Sequence, residues 1–173
     1  LYLLDRKSRL IKGDYPFIYQ DFHNDVCSLL ASLEEQIKKY RKIVLVFRNT
    51  ATQVPVELRE GFEQFCVDKS IPYEVKEKPL VEFPVEKETG YLVIDDEDLV
   101  YLIEQGKAQN LEIGKDLGII SYNETSLKKV VAGGISVIST DFYSMGQAVA
   151  KMVKTGSNES LKNPSRFIDR NSF

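Results

Sequence analysis

The sequence predicts an α/β fold with a mainly parallel sheet whose faces are both covered by helices. Three observations lead there. Strand-like and helix-like stretches alternate along the whole chain. The runs "IVLVF" (43–47), "YLVI" (91–94) and "GII" (118–120) are continuously apolar, the pattern of strands with helices on both sides. And the strand-like runs keep ending in small polar clusters, each followed by a helix-like pattern: "FIYQDFHND" (17–25), "KIVLVFRNT" (42–50), "YLVIDDED" (91–98) and "GIISYNET" (118–125).

In chain order, strands are expected at 1–4, 16–20, 43–47, 72–76, 90–94, 117–121, 135–138 and 166–169. Between the second and third, Val26, Leu29, Leu30, Leu33 and Ile37 form the stripe of a helix packed on one face. Leu58, Phe62, Phe65 and Cys66 repeat it after Pro55, which suits a first helical turn. Leu99 and Ile103 mark the next helix, with Gly106 and Gly114 bracketing its end and the following loop. Gly133-Gly134 marks a turn before strand 135–138, and Met145, Ala148, Val149, Met152 and Val153 outline the last helix. Residues 77–89, with Pro79 and Pro84, are the least regular stretch.

The 173 residues suffice for one domain or two small lobes. Apolar residues at 43% and charged residues at 28% describe a globular chain rather than a disordered one. The formal charge is −3 and no Lys/Arg block dominates any stretch, so this piece lacks the electrostatic footprint of a nucleic-acid binder. No apolar run approaches the ~20 residues of a membrane span, and no membrane association is expected. Cys27 and Cys66 fall inside helical patterns, which suits reduced, packed thiols in a cytoplasm. The opening "LYLLDRKSR" reads as an interior strand and loop without an initiator Met or a signal-peptide pattern, so the chain is expected to be a fragment of a longer protein.

Catalytic chemistry finds little purchase. His23 is the one histidine, which leaves no His-pair metal motif. No G-x-S-x-G, P-loop or G-x-G-x-x-G occurs. No enzyme, cofactor or metal is expected, and His23 reads as solvated or capping. The acids of "DDED" (95–98) could hold a cation through hard oxygens, but they are more simply caps complementing a helix dipole. Asn123-Glu124-Thr125 and Asn158-Glu159-Ser160 spell glycosylation triplets, a weak signal.

The strand-end clusters remain. In open α/β sheets, ligands bind outside the carboxyl ends of parallel strands, where Asp21, Arg48, Asn49, Thr50, Asp95, Asp96 and Asn123 are expected. Carboxylates and amides can take paired hydrogen bonds from vicinal hydroxyls, and an aromatic such as Tyr122 or Phe142 can cover an apolar sugar face. The candidate binding set is Asp21, Asn49, Thr50, Asp95, Tyr122, Asn123 and Phe142.

The order of segments also carries a resemblance. "GKDLGIISYNETSLKKVVAGGISVISTDFYSMGQAVAKMV" (114–153) resembles the closing part of the effector domain of lactose-repressor-type regulators, through "SYNET", "ISVISTDF" and "MGQAVA". "YLVIDDEDLVYLIEQGKAQNLEIGKDLGIISY" (91–122) and "YPFIYQDFHNDVCSLLASLEEQIKKYRKIVLVF" (15–47) are similar to earlier segments of that domain, and "NPSRFIDRNSF" (163–173) to its close. The spelling is most similar to regulators of the GntR class that carry this sugar-sensor-like effector domain.

That resemblance implies a periplasmic-binding-protein-like fold: two α/β lobes with crossing strands, each a parallel sheet flanked by helices. Residues 1–40 and 139–162 would form part of an incomplete N-terminal lobe, and 41–138 with 163–173 the C-terminal lobe. It implies an effector-sensing, dimerising domain of a transcriptional regulator in the cytoplasm. A sugar or related small polar molecule would bind in the interlobe cleft, and a winged helix preceding Leu1 would contact operator DNA. The homodimer would pair through residues 98–108 and 126–134, with Val100, Tyr101, Val130 and Val131 at the interface. Three positions depart from the family pattern. Leu58 of "LREGF" stands at the place of the effector-gripping Arg, with Arg59 one off; Asp95 replaces an amide and Asn123 an acid. A secreted or periplasmic sugar-binding protein of a transport system is the alternative, distinguished by a signal peptide upstream.

Overall fold

The computed structural model describes residues 1–6, 15–48 and 55–173. Along the chain run β1 (Leu3–Asp5), β2 (Phe17–Tyr19), α1 (Phe22–Ser32), α2 (Glu34–Ile37), β3 (Lys42–Val46), α3 (Val56–Lys69) and β4 (Tyr73–Lys76). There follow β5 (Thr89–Val93), α4 (Asp96–Ala108), β6 (Leu117–Tyr122), β7 (Ser136–Thr140), α5 (Phe142–Thr155), β8 (Ser160–Lys162) and β9 (Ser165–Ile168). Among the described residues, single 3-10 turns at Leu80–Glu82, Leu127–Lys129 and Val131–Gly133 complete the inventory.

The chain divides into two compact units: Leu1–Asp21 with Thr140–Arg166, and Phe22–Ser139 with Phe167–Phe173. Residues 22–40, expected with the N-terminal lobe, fall in the second unit. The reason is packing: Val26, Leu30, Leu33 and Ile37 share a core with Leu58, Phe62 and Phe65.

The second unit is built on a six-stranded sheet ordered β4-β3-β5-β6-β7-β9. The β3/β4, β3/β5, β5/β6 and β6/β7 pairings are all parallel. Strand side chains alternate between faces, so each continuous apolar run feeds two cores at once. Ile43, Leu45, Leu92 and Ile120 meet α1 and α3, while Val44, Val46, Tyr91, Val93 and Ile119 meet Leu99, Leu102 and Ile103 of α4. Leu80, in the stretch that looked least regular, is fully buried in this second core.

Gly90 and Gly118 face each other across the β5/β6 register, and together they leave a slot for two rings. A Cβ on Gly118 would stand 2.5 Å from Tyr40 Cζ, and one on Gly90 2.7 Å from Phe173 Cε2. The Tyr40 and Phe173 rings lie 4.9 Å apart, centroid to centroid. Ser172 pins the final residues to the sheet: its Oγ donates to the Ile119 carbonyl at 2.6 Å and accepts from Ser136 N at 2.8 Å.

The first unit has a three-stranded parallel sheet, β1-β2-β8. Its core is Ile18, Met145 and Met152, with Tyr2, Ala148 and Val149 packed against them. Val153, expected in the α5 stripe, is instead exposed. Asp141 caps α5 by accepting from Ser144 N at 2.9 Å. β8 was not foreseen: its three residues are exposed and offer no apolar run, only a ladder partner in β2.

Candidate functional site

Because β3, β5 and β6 are adjacent and parallel, their carboxyl ends share one edge of the sheet. Arg48 stands two residues after β3, Asp95 two after β5, and Asn123 directly after β6. The sequence thus delivers a cation, an acid and an amide to one edge by topology alone.

Arg48 is clamped there. Its Nε donates to Asp98 Oδ2 at 2.8 Å and its Nη2 to Asp98 Oδ1 at 2.7 Å, a two-point fork. Its Nη1 donates to Glu97 Oε2 at 3.0 Å and lies 3.6 Å from Asp95 Oδ2. Asp98 is only 1% exposed and also accepts from Leu80 N at 2.8 Å. The Asp98 hydrogen bonds, outweighing desolvation, push the Arg48 pKa above even its ordinary high value. Asp95 caps α4 through Glu97 N at 3.3 Å. The "DDED" run is therefore part cap and part arginine clamp. Among the described residues, no group of three or more His, Cys, Asp or Glu side chains is placed to hold a metal.

Lys128 is a second buried cation, 2% exposed. Its Nζ donates to the carbonyls of Tyr122 and Asn123, both at 2.9 Å, and pairs with Asp96 at 3.0 Å. It staples the loop after β6 to the start of α4. Asn123 itself sits in the left-handed region, φ 63°, as short amide side chains tolerate. Its N–H donates to the Ile138 carbonyl at 2.8 Å, and its Oδ1 is buried without a donor. Tyr122, expected to cover a sugar face, instead joins the core beside α1 and α3.

The other expected residues fall as follows. Asn49 and Thr50 lie outside the described residues. Leu58 is fully buried in the core, while Arg59 is held by Glu63 at 2.9 Å and Glu77 at 2.6 Å. Neither presents a free cation in place of the family's arginine. Val100 is 46% and Val130 72% exposed. Tyr101 is half-buried and its hydroxyl donates to the Phe83 carbonyl at 3.4 Å, and Val131 packs partly against the core. In the first unit, Asp21 pairs with Lys162 at 3.4 Å, and Phe142 is exposed in the first turn of α5. There Gln20 bridges Asp5 and Thr140 by hydrogen bonds. Burial pushes the Cys66 thiol up to about 12 and raises Cys27 as well, so neither is a ready thiolate.

Sequence reasoning missed Asp98 and Lys128. For Asp98 a signal existed: it lies three residues after the cap Asp95 and directly before Leu99 and Leu102 of the buried stripe. An acid at such a place calls for a buried partner. Lys128 carried no comparable mark.

Comparison with known proteins turns these observations into a family assignment. The profile of the periplasmic binding protein-like domain matches residues 37–169. The chain belongs to this family. Three solved structures share its fold. A transcription-regulator-like protein from Staphylococcus haemolyticus has 18% identity and a TM-score of 0.77, covering 99% of this chain and 66% of its own. The Escherichia coli transcriptional repressor ascG has 12% identity and a TM-score of 0.75, covering 98% and 68%. A LacI family regulator from Enterococcus faecium with bound ribose has 18% identity and a TM-score of 0.73, covering 99% and 69%. At these identities the likeness is one of fold, and the chain spans about two-thirds of each structure's length. No curated protein matches the chain. Among the described residues of this periplasmic-binding-protein-like chain, no helix is long and apolar enough to cross a membrane.

Proposed function

We propose that this chain is the effector-sensing part of a transcription regulator, binding a sugar or related small polar molecule at the carboxyl ends of its parallel strands. One observation carries the reading: three adjacent strand ends bring Asp95, Asn123 and the Arg48 clamp to a single edge, the place where open α/β sheets take ligands. The ribose bound by the Enterococcus faecium relative fits that reading. Within it, the polypeptide works in the cytoplasm and contacts operator DNA through a GntR-type winged helix. Ligand acts by favouring one of two conformations, which requires unequal affinity for them. The test is a thermal-shift panel of sugars, sugar phosphates and nucleosides on the intact regulator. A true effector at 100 times its dissociation constant adds about 2.7 kcal/mol of stability; a flat response across the panel rejects the proposal.

The same reading includes a homodimer through the outer face of α4 and the turns at 127–133. Val100 and Val130 are exposed apolar side chains there, and a two-fold contact would set them against their own copies. Both can be changed without disturbing the core, unlike Tyr101 with its hydrogen bond to Phe83. Val100→Asp with Val130→Asp is expected to convert a dimer into a monomer by light scattering while leaving the far-UV circular dichroism unchanged. A variant that stays dimeric places the pairing surface elsewhere.

A further inference from the structure

We infer that Lys128 is a positioning residue for the candidate site. By gripping two successive carbonyls it holds Asn123 in a left-handed turn, and that turn sets how the Asn123 amide meets a ligand. This role presupposes the sensing function proposed above, in which Asn123 lies at the ligand edge.

Along β6, as in any pleated strand, successive peptide units point in alternating directions. Asn123, directly after the strand, has φ 63°, the left-handed counterpart of helical geometry. In such a turn the peptide units on either side of the residue point the same way. The carbonyls of Tyr122 and Asn123 thus converge, and Lys128 Nζ donates to both at 2.9 Å. A non-glycine residue seldom keeps this conformation unaided, so the lysine supplies what the backbone preference of Asn123 does not.

Lys128 is itself fixed from three sides. It is 2% exposed, and the third donor of its ammonium pairs with Asp96 at 3.0 Å. Its N–H donates to Thr125 Oγ1 at 3.4 Å, and its carbonyl accepts from Ile135 N at 2.8 Å, just ahead of β7. The neighbouring charges are engaged elsewhere or face solvent. Glu124 is held by Arg170, whose Nη1 also donates to the Ile135 carbonyl at 2.7 Å, and Lys129 is exposed.

With its N–H on the Ile138 carbonyl at 2.8 Å and its own carbonyl on Lys128, Asn123 has its backbone fully engaged. Its side-chain Oδ1 is buried and receives no hydrogen bond, and an unmet buried acceptor is costly until something donates to it. Freed from Lys128, Asn123 would favour negative φ and carry its amide away from the edge. If the left-handed turn falls to about a tenth of the population, apparent ligand affinity falls about tenfold.

The experiment pairs titration calorimetry of the intact regulator, using ribose and cellobiose, with hydrogen exchange at the Asn123 N–H by NMR. Lys128→Met and Asp96→Asn both break the Lys128–Asp96 pair, but only Lys128→Met releases the two carbonyls. Lys128→Met is expected to bind whichever sugar the wild type binds about tenfold more weakly, with clearly faster exchange at Asn123. Asp96→Asn is expected to show a smaller change in both. Should Lys128→Met fail to fold, Lys128→Gln takes its place, because its shorter amide cannot span both carbonyls, and the same result is expected. Unchanged affinity or unchanged exchange in the lysine variant overturns the positioning role and leaves the sensing role standing. So does an Asp96→Asn loss as large as that of the lysine variant, which would assign the effect to the ion pair. A wild-type regulator that binds neither sugar overturns sugar sensing at this edge, and the positioning role with it.

Discussion

Asp98→Ala is expected to destabilise the second unit by about 3–5 kcal/mol, the range for removing one partner of a buried ion pair. Asp98 holds two Arg48 nitrogens and Leu80 N at once. Its loss leaves a mostly buried guanidinium facing only the peripheral Glu97 and Asp95, and a buried backbone N–H without an acceptor. Salt screening offers little relief, because neither group reaches bulk water freely. Urea unfolding checks this: the midpoint should fall with the slope unchanged. Arg48→Met on the Asp98→Ala background should recover much of the loss, since the stranded charge goes with it. A loss under about 1 kcal/mol for Asp98→Ala would class the pair with solvent-screened surface bridges.

That pair also shows what was legible in the sequence. Residues 91–98 announced a strand end and a helix start, because apolar continuity and capping acids are local signals. Which of the four acids caps and which turns inward was not local. It depends on where Arg48 arrives from the neighbouring strand, fifty residues before Asp98 in the chain. The same distinction separates the easy elements from the missed ones. The α1 stripe from Val26 to Ile37 was plain, yet its placement in the second unit follows from contact with α3, which no periodicity encodes. β8 exists only because β2 offers it a ladder edge. The meaning of Gly90 and Gly118 as a slot appears only when the β5/β6 register sets them side by side. Lys128 reads as one of two consecutive surface lysines in "SLKKVV" until the fold closes over it.

Gly61→Ala should lower stability by about 2 kcal/mol, against the sign that helix propensity alone predicts. Alanine in a helix interior is favoured over glycine by about 1 kcal/mol. At Gly61, however, the new Cβ would lie 2.3 Å from the His23 carbonyl oxygen and 3.0 Å from His23 C and Cα. Those are backbone atoms of α1, so no side chain can rotate out of the way. The two helices must move apart, and they share the core formed by Val26, Leu30, Leu58, Phe62 and Phe65. Overpacking of this kind costs typically about 1–3 kcal/mol and sometimes more, enough to reverse the propensity gain. For a chain of this size the melting temperature should drop by roughly 4–8 °C. Gly146→Ala is the matched control: that residue lies within α5, and nothing stands within 4 Å of its would-be Cβ. There the propensity term acts alone, and the variant should be more stable by about 0.5–1 kcal/mol. If both variants shift stability in the same direction, the close approach of α1 and α3 at Gly61 is not what makes glycine necessary there.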